Sequence, residues 1–164
     1  MSPHGSEPVR LDGVAATQRL AATLAARCQP GHLVALNGPL GVGKTTFVKA
    51  YAACLGVHGA VTSPTFTLVH RYRCGAGAPV STLLHVDLWR IAHDGELVDL
   101  ALDEELDAGA AAIVEWADRA DVSSRHEGLD VTLSFLDGDA REAVVSTRRV
   151  RGISDVRSAR STTW

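Results

Sequence analysis

The sequence contains little of what marks several common protein classes. Its three cysteines, Cys28, Cys54 and Cys74, include no C-x-x-C pair, which argues against a disulfide framework or a zinc site. The formal net charge is −3, so no overall positive field draws the chain to nucleic acid or to membranes. Hydrophobic residues make up 46% of the 164 residues and charged residues 21%, which is typical of a globular domain.

Long apolar runs are also missing. No stretch approaches the roughly 18 consecutive apolar residues of a membrane-spanning helix. Residues 1–8 lack a basic region followed by an apolar segment, so we predict no signal peptide and a cytoplasmic protein. The length predicts one domain over residues 1–150, and residues 151–164 are predicted to be a flexible tail. Because residues 148–164 contain five arginines, an electrostatic contact of this stretch with RNA or an acidic partner stays open as an alternative.

A glycine-rich segment is the chain's clearest local feature. Residues 38–46 match G-x-x-x-x-G-K-[ST], the phosphate-binding loop. An apolar run over 33–36 precedes it, and Phe47, Tyr51 and Leu55 follow at helical spacing, so the loop has the strand and the helix it requires. The segment consists of Gly38, Pro39, Leu40, Gly41, Val42, Gly43, Lys44, Thr45 and Thr46.

The residue types in this loop explain the chemistry that it predicts. Glycines allow successive backbone N–H groups to point at phosphate oxygens, and the helix N-terminus adds a partial positive charge. Lys44 is placed to reach the β- and γ-phosphates of a nucleotide, and the Thr45 hydroxyl is placed to bind Mg²⁺.

Two acidic residues are candidates for the second half of a metal site. Asp87 and Glu115 each follow an apolar run that predicts a buried strand, over 83–86 and 111–114. In an open α/β sheet, ligands bind at the carboxyl ends of the strands, where either acid would lie beside the loop. Each acid taken alone could be a surface carboxylate that closes a strand. Two such strand ends in a chain with a phosphate loop favour metal coordination by at least one of them.

A hydroxyl-rich segment follows the helix of the phosphate loop. Residues 62–66 read Thr-Ser-Pro-Thr-Phe, and such a segment could sense the γ-phosphate and Mg²⁺ as a switch loop does. The Ser-Pro pair is equally consistent with a simple turn before a strand. Residue chemistry favours neither interpretation.

Strand and helix patterns over the whole chain predict an α/β protein with a three-layer fold like that of the P-loop NTPases. Its mixed sheet is expected to carry helices on both faces and antiparallel C-terminal edge strands, because Asp137-Gly138-Asp139 is a hairpin signal between alternating segments. The predicted strands cover 9–11, 33–36, 65–73, 80–86, 110–114, 129–135 and 142–147, and the predicted helices begin near 14, 44 and 100.

Four motifs between Gly38 and Trp116 together resemble the TsaE (YjeE) family. They are G-P-L-G-V-G-K-T-T-F, T-S-P-T-F-T-L-V, H-V-D-L-W-R and I-V-E-W, in this order. The family consists of small bacterial ATPases needed for the threonylcarbamoyladenosine modification of tRNA. The resemblance implies ATP or ADP and Mg²⁺ as cofactors. It also implies TsaB- and TsaD-type proteins as partners and tRNA as an indirect partner through their complex.

The resemblance also implies roles for individual residues. Lys44 and the loop residues would hold the ATP phosphates, and Thr45 and Glu115 would coordinate Mg²⁺. Asp87 would be an essential carboxylate near the metal or the attacking water. The catalytic residues that the resemblance implies are therefore Lys44, Asp87 and Glu115.

Three further positions follow from the same resemblance. Thr65 would belong to a switch-like loop, Trp116 would lie next to the nucleotide, and Thr17 would lie near the adenine. The chain departs from the family at Pro39, where an acid is usual, and at Trp89, where tyrosine is usual. Pro39 removes one backbone N–H from the loop, so phosphate affinity is expected to differ.

The expected function is ATP hydrolysis that drives or resets the TsaB/TsaD assembly. One alternative is a small-molecule kinase, in which Arg71, Arg73 or Arg90 would cover the phosphates. Another is a nucleotide-gated binding module without useful hydrolysis. A GTPase is disfavoured because the chain lacks N-K-x-D, its one asparagine being Asn37.

Overall fold

The computed structural model describes residues 7–91 and 101–150. Residues 151–164 of the predicted tail and the first residue of the helix predicted from 100 lie outside this part of the chain. The secondary structure elements, in chain order, are β1 (Val9–Asp12), α1 (Gly13–Ala25), β2 (Leu33–Asn37), α2 (Lys44–Cys54), β3 (Val69–Arg73), β4 (Thr82–Asp87), α3 (Leu102–Asp107), β5 (Ala111–Glu115), a 3₁₀ helix (Ala117–Arg119), β6 (Gly128–Phe135) and β7 (Ala140–Arg148).

The seven strands form one mixed sheet in the order β1-β7-β6-β2-β5-β4-β3. Its centre is parallel, since β2 pairs with both β5 and β6, and β4 pairs with β5. The flanks are antiparallel, through β6–β7 and β7–β1 on one side and β3–β4 on the other. The predicted mixed α/β fold with antiparallel C-terminal strands is confirmed. The outermost strand on that side is the N-terminal β1, which was predicted as a strand but not at this position in the sheet.

Hydrophobic residues are buried on both faces of the sheet. Along β2, Val34 and Leu36 belong to the core cluster that α1 and α2 cover, whereas Leu33 and Ala35 belong to the cluster on the α3 side. Successive strand residues point to opposite faces, so a strand buried on both faces is apolar throughout. This explains why β2 and β5 are recognisable in the sequence as short continuous apolar runs.

Strand β3 is shorter than predicted. It begins at Val69, whereas the pattern predicted a strand from Thr65. The Pro64 carbonyl accepts the N–H groups of Thr67 (3.2 Å) and Leu68 (2.8 Å), which closes a turn over these residues. Leu68 has φ 61°, a conformation that no extended strand contains.

The helices of the described residues include none that is long and apolar enough to cross a bilayer.

Candidate functional site

The sheet topology places three segments at one edge. The 38–43 loop follows β2, Asp87 ends β4 and Glu115 ends β5, and these three strands are parallel neighbours. In the strand register, Glu115 lies between Leu36 on one side and Asp87 on the other. Both acids are almost fully buried. The carboxyl ends of β2, β4 and β5 therefore bring the loop and both candidate carboxylates together.

The backbone of the loop requires glycine at its first position. Gly38, Gly41 and Gly43 all have positive φ values, of 141°, 76° and 115°. A Cβ on Gly38 would lie 2.4 Å from the Leu133 carbonyl oxygen of β6, so no larger residue fits there. Helix α2 begins at Lys44, directly after Gly43, and its first turn lines a cavity at this edge of the sheet.

Lys44 is buried, and its ammonium group contacts both backbone oxygens and an aromatic ring. Its Nζ donates to the carbonyl oxygens of Gly38 (2.6 Å) and Pro39 (2.9 Å). It also lies 3.6 Å from the ring centroid of Trp116, a cation–π contact. Burial lowers the pKa of Lys44, while the carboxylate of Glu115 opposes this shift. The ammonium is thus held at the phosphate loop by oxygens, an aromatic ring and a nearby acid.

Glu115 contacts both the loop helix and the neighbouring strand. The Thr45 hydroxyl donates to the two carboxylate oxygens, at 3.2 and 3.3 Å. The Nε2 atom of His85 lies 2.8 Å from Oε1, and His85 is fully buried. A carboxylate only accepts, so Nε2–H is the donor, and Nδ1 has no partner among the described residues. His85 therefore fixes the orientation of Glu115.

The sequence interpretation assigned no role to His85. The signal was present, since His85 and Asp87 are two residues apart on one strand and point to the same face. Burying a histidine in an apolar strand costs free energy unless its ring is hydrogen-bonded. Its position two residues before a strand-end acid therefore indicates a role at the site.

Asp87 is held by the hydroxyl-rich segment over 62–66. The Ser63 hydroxyl donates to Oδ2 at 2.8 Å, and the Trp89 backbone N–H donates to Oδ1 at 2.9 Å. The Ser63 and Thr65 hydroxyl oxygens are 3.0 Å apart. This segment therefore contacts the carboxyl end of β4 directly, through Ser63, a residue to which no role was assigned beforehand.

Two adjacent tryptophan rings, with a cationic side chain on either side of the pair, close one side of the site. Trp116 lies on Lys44, the Trp89 and Trp116 ring centroids are 4.4 Å apart, and the Arg119 guanidinium is 4.4 Å from the Trp89 ring. Trp116 has φ 58°, a left-handed conformation that costs a non-glycine residue about 1–3 kcal/mol. Arg119 was missed from the sequence, because no spacing rule connects it to two rings on different strand ends.

These segments enclose a cavity of about 420 Å³. Its wall includes most of the predicted residues, together with Ser63 and Trp89. The predicted residues among those lining it are Leu40, Gly41, Gly43, Lys44, Thr45, Thr46, Thr65, Asp87, Glu115 and Trp116.

Three predicted positions do not line the cavity. Gly38 and Val42 belong to the loop but are not among the residues that line the cavity, and Val42 is part of the hydrophobic core. Thr17 is buried in α1 and is not brought to the cavity. The Val42 carbonyl instead accepts a hydrogen bond from Arg141 Nε at 3.2 Å, which ties the loop to β7.

The arginines considered for a kinase also lie elsewhere. Arg71 forms an ion pair with Glu105, and the Arg90 guanidinium is 4.7 Å from the Phe66 ring. Neither these two nor Arg73 is among the residues that line the cavity. Lys44 is the one cationic side chain among the described residues of its wall.

The oxygens at Thr45 and Glu115 fit the requirements of Mg²⁺. Two ligands on adjacent corners of an Mg²⁺ octahedron stand about 3.0 Å apart, since each is about 2.1 Å from the metal. The 3.2 and 3.3 Å separations are close to this value. Over the ranges 7–91 and 101–150, no cluster of three or more His, Cys, Asp or Glu side chains forms a metal site. An ion that takes one or two protein oxygens and otherwise water or phosphate oxygens, as Mg²⁺ does, suits this arrangement.

Comparisons with known proteins match most of the chain to one family. A sequence profile of the family described as "Threonylcarbamoyl adenosine biosynthesis protein TsaE" matches residues 11–143. The chain is 37% identical over 126 residues to the tRNA threonylcarbamoyladenosine biosynthesis protein TsaE of Bacillus subtilis, covering 77% of this chain and 76% of that protein. It is 37% identical over 155 residues to the protein of the same name from Mycobacterium tuberculosis, covering 88% and 89%.

A solved structure is similar over nearly the same region. The crystal structure of Bacillus subtilis YdiB superposes with a TM-score of 0.68 at 28% sequence identity, covering 89% of this chain and 88% of that one. The residues matched by the family profile, 11–143, include both halves of the site, from the loop after β2 to the ends of β4 and β5. The chain therefore belongs to the TsaE family of threonylcarbamoyladenosine biosynthesis proteins.

Proposed function

We propose that this protein is an ATPase that acts in the threonylcarbamoyladenosine modification of tRNA. The observation that carries the proposal is the contact between Thr45 of the phosphate loop helix and Glu115 of β5, with Asp87 beside it in the register. Membership of the TsaE family and the names of the relatives supply the pathway.

The loop and Lys44 supply phosphate binding. The N-terminus of α2 and the positive-φ glycines of the loop offer backbone N–H groups to an anion. Lys44 Nζ is held by two loop carbonyls, and exchanging one of them for a phosphate oxygen keeps its coordination number. The neighbouring rings of Trp116 and Trp89 offer an apolar wall to the bound nucleotide.

Thr45 and Glu115 are the residues that would hold Mg²⁺. The ion would neutralise the charge of the β- and γ-phosphates and of the oxygen between them. His85 keeps the Glu115 carboxylate turned toward Thr45, since its Nε2–H occupies Oε1 from the β4 side. In metal sites such a second hydrogen bond fixes ligand orientation.

Asp87 is proposed to orient the attacking water. Its two carboxylate oxygens already accept from Ser63 and from the Trp89 N–H, which leaves further lone pairs in a fixed direction toward the cavity. With a single cationic side chain among the described residues of the wall, the isolated chain is expected to hydrolyse ATP slowly. We propose that it works in the cytoplasm, where TsaB- and TsaD-type partners would supply or complete what is missing and bring the tRNA.

Adding TsaB- and TsaD-type partners is expected to raise the rate of ATP hydrolysis at least about tenfold over the chain alone. The physical reason is that a partner cation or a rigid partner surface stabilises the charged transition state. Steady-state release of phosphate, with partners alone as the blank, measures this. Equal rates with and without the partners would contradict the proposal. Release of ADP that depends on an added small-molecule acceptor would instead identify a kinase.

Replacing Glu115 with glutamine, or Asp87 with asparagine, is expected to lower kcat for ATP hydrolysis about a hundredfold. Each change keeps the shape of the side chain and removes the negative charge. ATP affinity should fall less than kcat, because Lys44 and the loop remain. The control is Asp107→Asn, which removes one charge at an exposed position at the end of α3.

The same variants separate hydrolysis from nucleotide-gated binding. ATP affinity and turnover are measured on each protein, together with tRNA modification in the presence of the partners. Unchanged modification by both Glu115→Gln and Asp87→Asn would show that the nucleotide acts by binding alone.

A further inference from the structure

A second cavity, of about 500 Å³, lies at the opposite end of the sheet. It opens where β2 and β6 begin and β7 ends, whereas the candidate site lies where β2 ends. The five residues of β2 separate the two by about 17 Å. Its wall carries three arginines, Arg27, Arg148 and Arg149, and His32.

Arg148 joins the segments that form this cavity. Its guanidinium donates to the carbonyl oxygens of His126 (Nε, 2.9 Å) and Leu33 (Nη2, 2.8 Å), and it forms an ion pair with Asp130. These bonds join the end of β7 to the beginnings of β2 and β6. The guanidinium of Arg148 is therefore engaged in holding the fold together, and Arg149 follows it directly in the chain.

Arg27 and Arg149, in contrast, are available to bind an anion. Both are exposed, and neither forms an ion pair with a carboxylate of the described residues. Arg27 donates through Nη2 to the Thr147 hydroxyl at 3.3 Å, which keeps it at the rim next to Arg149. Two exposed arginines, one just after α1 and one just after β7, thus line the same opening.

The surrounding charges show which sign dominates. Burial lowers the pKa of His32, the carboxylate of Glu127 opposes this shift, and the weaker effects of Arg148 and Arg27 lower the pKa. Glu127 is the one acidic side chain among the described residues of the wall. The arginines of the wall that form no ion pair with a carboxylate of the described residues, Arg27 and Arg149, outnumber it two to one.

The chemistry of the wall selects the ligand. Guanidinium groups bind phosphate oxygens through two parallel hydrogen bonds. No aromatic side chain occurs among the described residues of the wall except the imidazole of His32, so a platform for stacking bases is missing. A ligand that offers phosphates and keeps its bases elsewhere fits, which describes the backbone of a folded RNA.

We propose that this cavity binds backbone phosphates of RNA through Arg27 and Arg149. The choice of tRNA as the RNA rests on the proposed function, whereas the phosphate chemistry does not. Because the cavity lies at the far end of the sheet, RNA bound there leaves the entrance to the candidate nucleotide site open. Free polyphosphate offers the same chemical group and is the competing source.

The test compares full-length variants in their binding of a fluorescently labelled tRNA transcript, measured by anisotropy over a series of salt concentrations. R27Q/R149Q is expected to weaken binding about tenfold or more near 0.1 M salt. It should also make the slope of log K against log salt shallower by about 1.5. E127Q, which removes the opposing charge, is expected to strengthen binding about two- to threefold. R19Q/R73Q removes two exposed arginines elsewhere and should change binding less than twofold.

Each of the next three results would contradict the proposal that the cavity binds RNA. Equal losses in R27Q/R149Q and R19Q/R73Q would show a general charge effect. A loss confined to R157Q/R160Q would assign binding to residues beyond the cavity. Competition by inorganic tripolyphosphate at matched ionic strength and equal phosphate concentration, as strong as that by unlabelled tRNA, would identify free polyphosphate as the ligand. ATP turnover is measured on the same proteins, since its absence in all of them would refute the ATPase and leave the RNA result standing.

Discussion

Replacing Lys44 with glutamine is expected to lower kcat/KM for ATP hydrolysis by about a thousandfold or more. Lys44 is the one cation among the described residues that line the cavity, and its ammonium lies at the phosphate loop. A neutral amide keeps a hydrogen-bond donor but provides no charge for the β–γ bridge and the γ-phosphoryl group. Both ground-state binding and transition-state stabilisation should therefore decrease.

The chain supplies its own control for this experiment. Lys49, the other lysine, lies on the exposed side of α2, so Lys49→Gln removes the same charge from the same helix outside the cavity. Turnover of Lys49→Gln should stay within about twofold of the unmodified chain. ATP Kd and initial rates are measured for both variants. A Lys44→Gln protein that retains a tenth or more of the activity would remove Lys44 from the catalytic set.

Tryptophan fluorescence gives this experiment a second readout. The Trp116 ring lies 3.6 Å from Lys44 Nζ, so movement of the ammonium toward a phosphate changes the environment of the indole. ATP is expected to change the emission of the unmodified chain. Trp116→Phe should lose most of this change, and Lys44→Gln should show it only at much higher ATP concentration.

Much of the site could be predicted from sequence because its elements are local. The phosphate loop is a contiguous motif between two elements with clear periodicity. Asp87 and Glu115 stand at the ends of apolar runs, and parallel strands carry their carboxyl ends to the same edge. These three features needed no knowledge of which strand pairs with which. Their chemical roles are still proposals.

The residues missed from sequence depend on pairings across the sheet. His85 and Glu115 are 30 residues apart and meet because β4 and β5 pair with Asp87 opposite Glu115. Arg119 reaches Trp89 only because two strand ends are neighbours. The start of β3 was wrong for a local reason, since two turn hydrogen bonds to Pro64 outweigh the β-propensity of Thr65 to Leu68.

Glycine positions show the same limit. Gly38 was predicted to belong to a phosphate loop, but its closest steric constraint is the backbone of β6. Gly128 belongs to no motif, and nothing in its neighbouring residues indicates how little space surrounds it. The close approach follows from the pairing of β6 with β2, which the sequence alone does not reveal.

Replacing Gly128 with alanine is expected to reduce the free energy of unfolding by about 4 kcal/mol, the largest stability effect of any change discussed. An alanine Cβ would lie 2.0 Å from the Leu33 carbonyl oxygen and within 3 Å of the Leu33 N and C atoms. Gly128 also has φ 150°, a conformation that alanine rarely adopts. The Leu33 backbone cannot easily retreat, because its N–H donates to the Glu127 carbonyl (2.9 Å) and its oxygen accepts from Arg148.

Urea denaturation followed by circular dichroism measures this change against Gly77→Ala. Gly77 has no atom within 4 Å of an added Cβ and has no positive φ, so that variant should stay within about 1 kcal/mol of the unmodified chain. If Gly128→Ala cannot be purified, its stability is measured instead by brief protease treatment of freshly expressed protein. Equal stability of the two variants would contradict the close β2–β6 contact. Since β2 leads directly into the phosphate loop, the ATP affinity of the folded fraction of Gly128→Ala should fall as well, whereas Gly77→Ala should bind ATP normally.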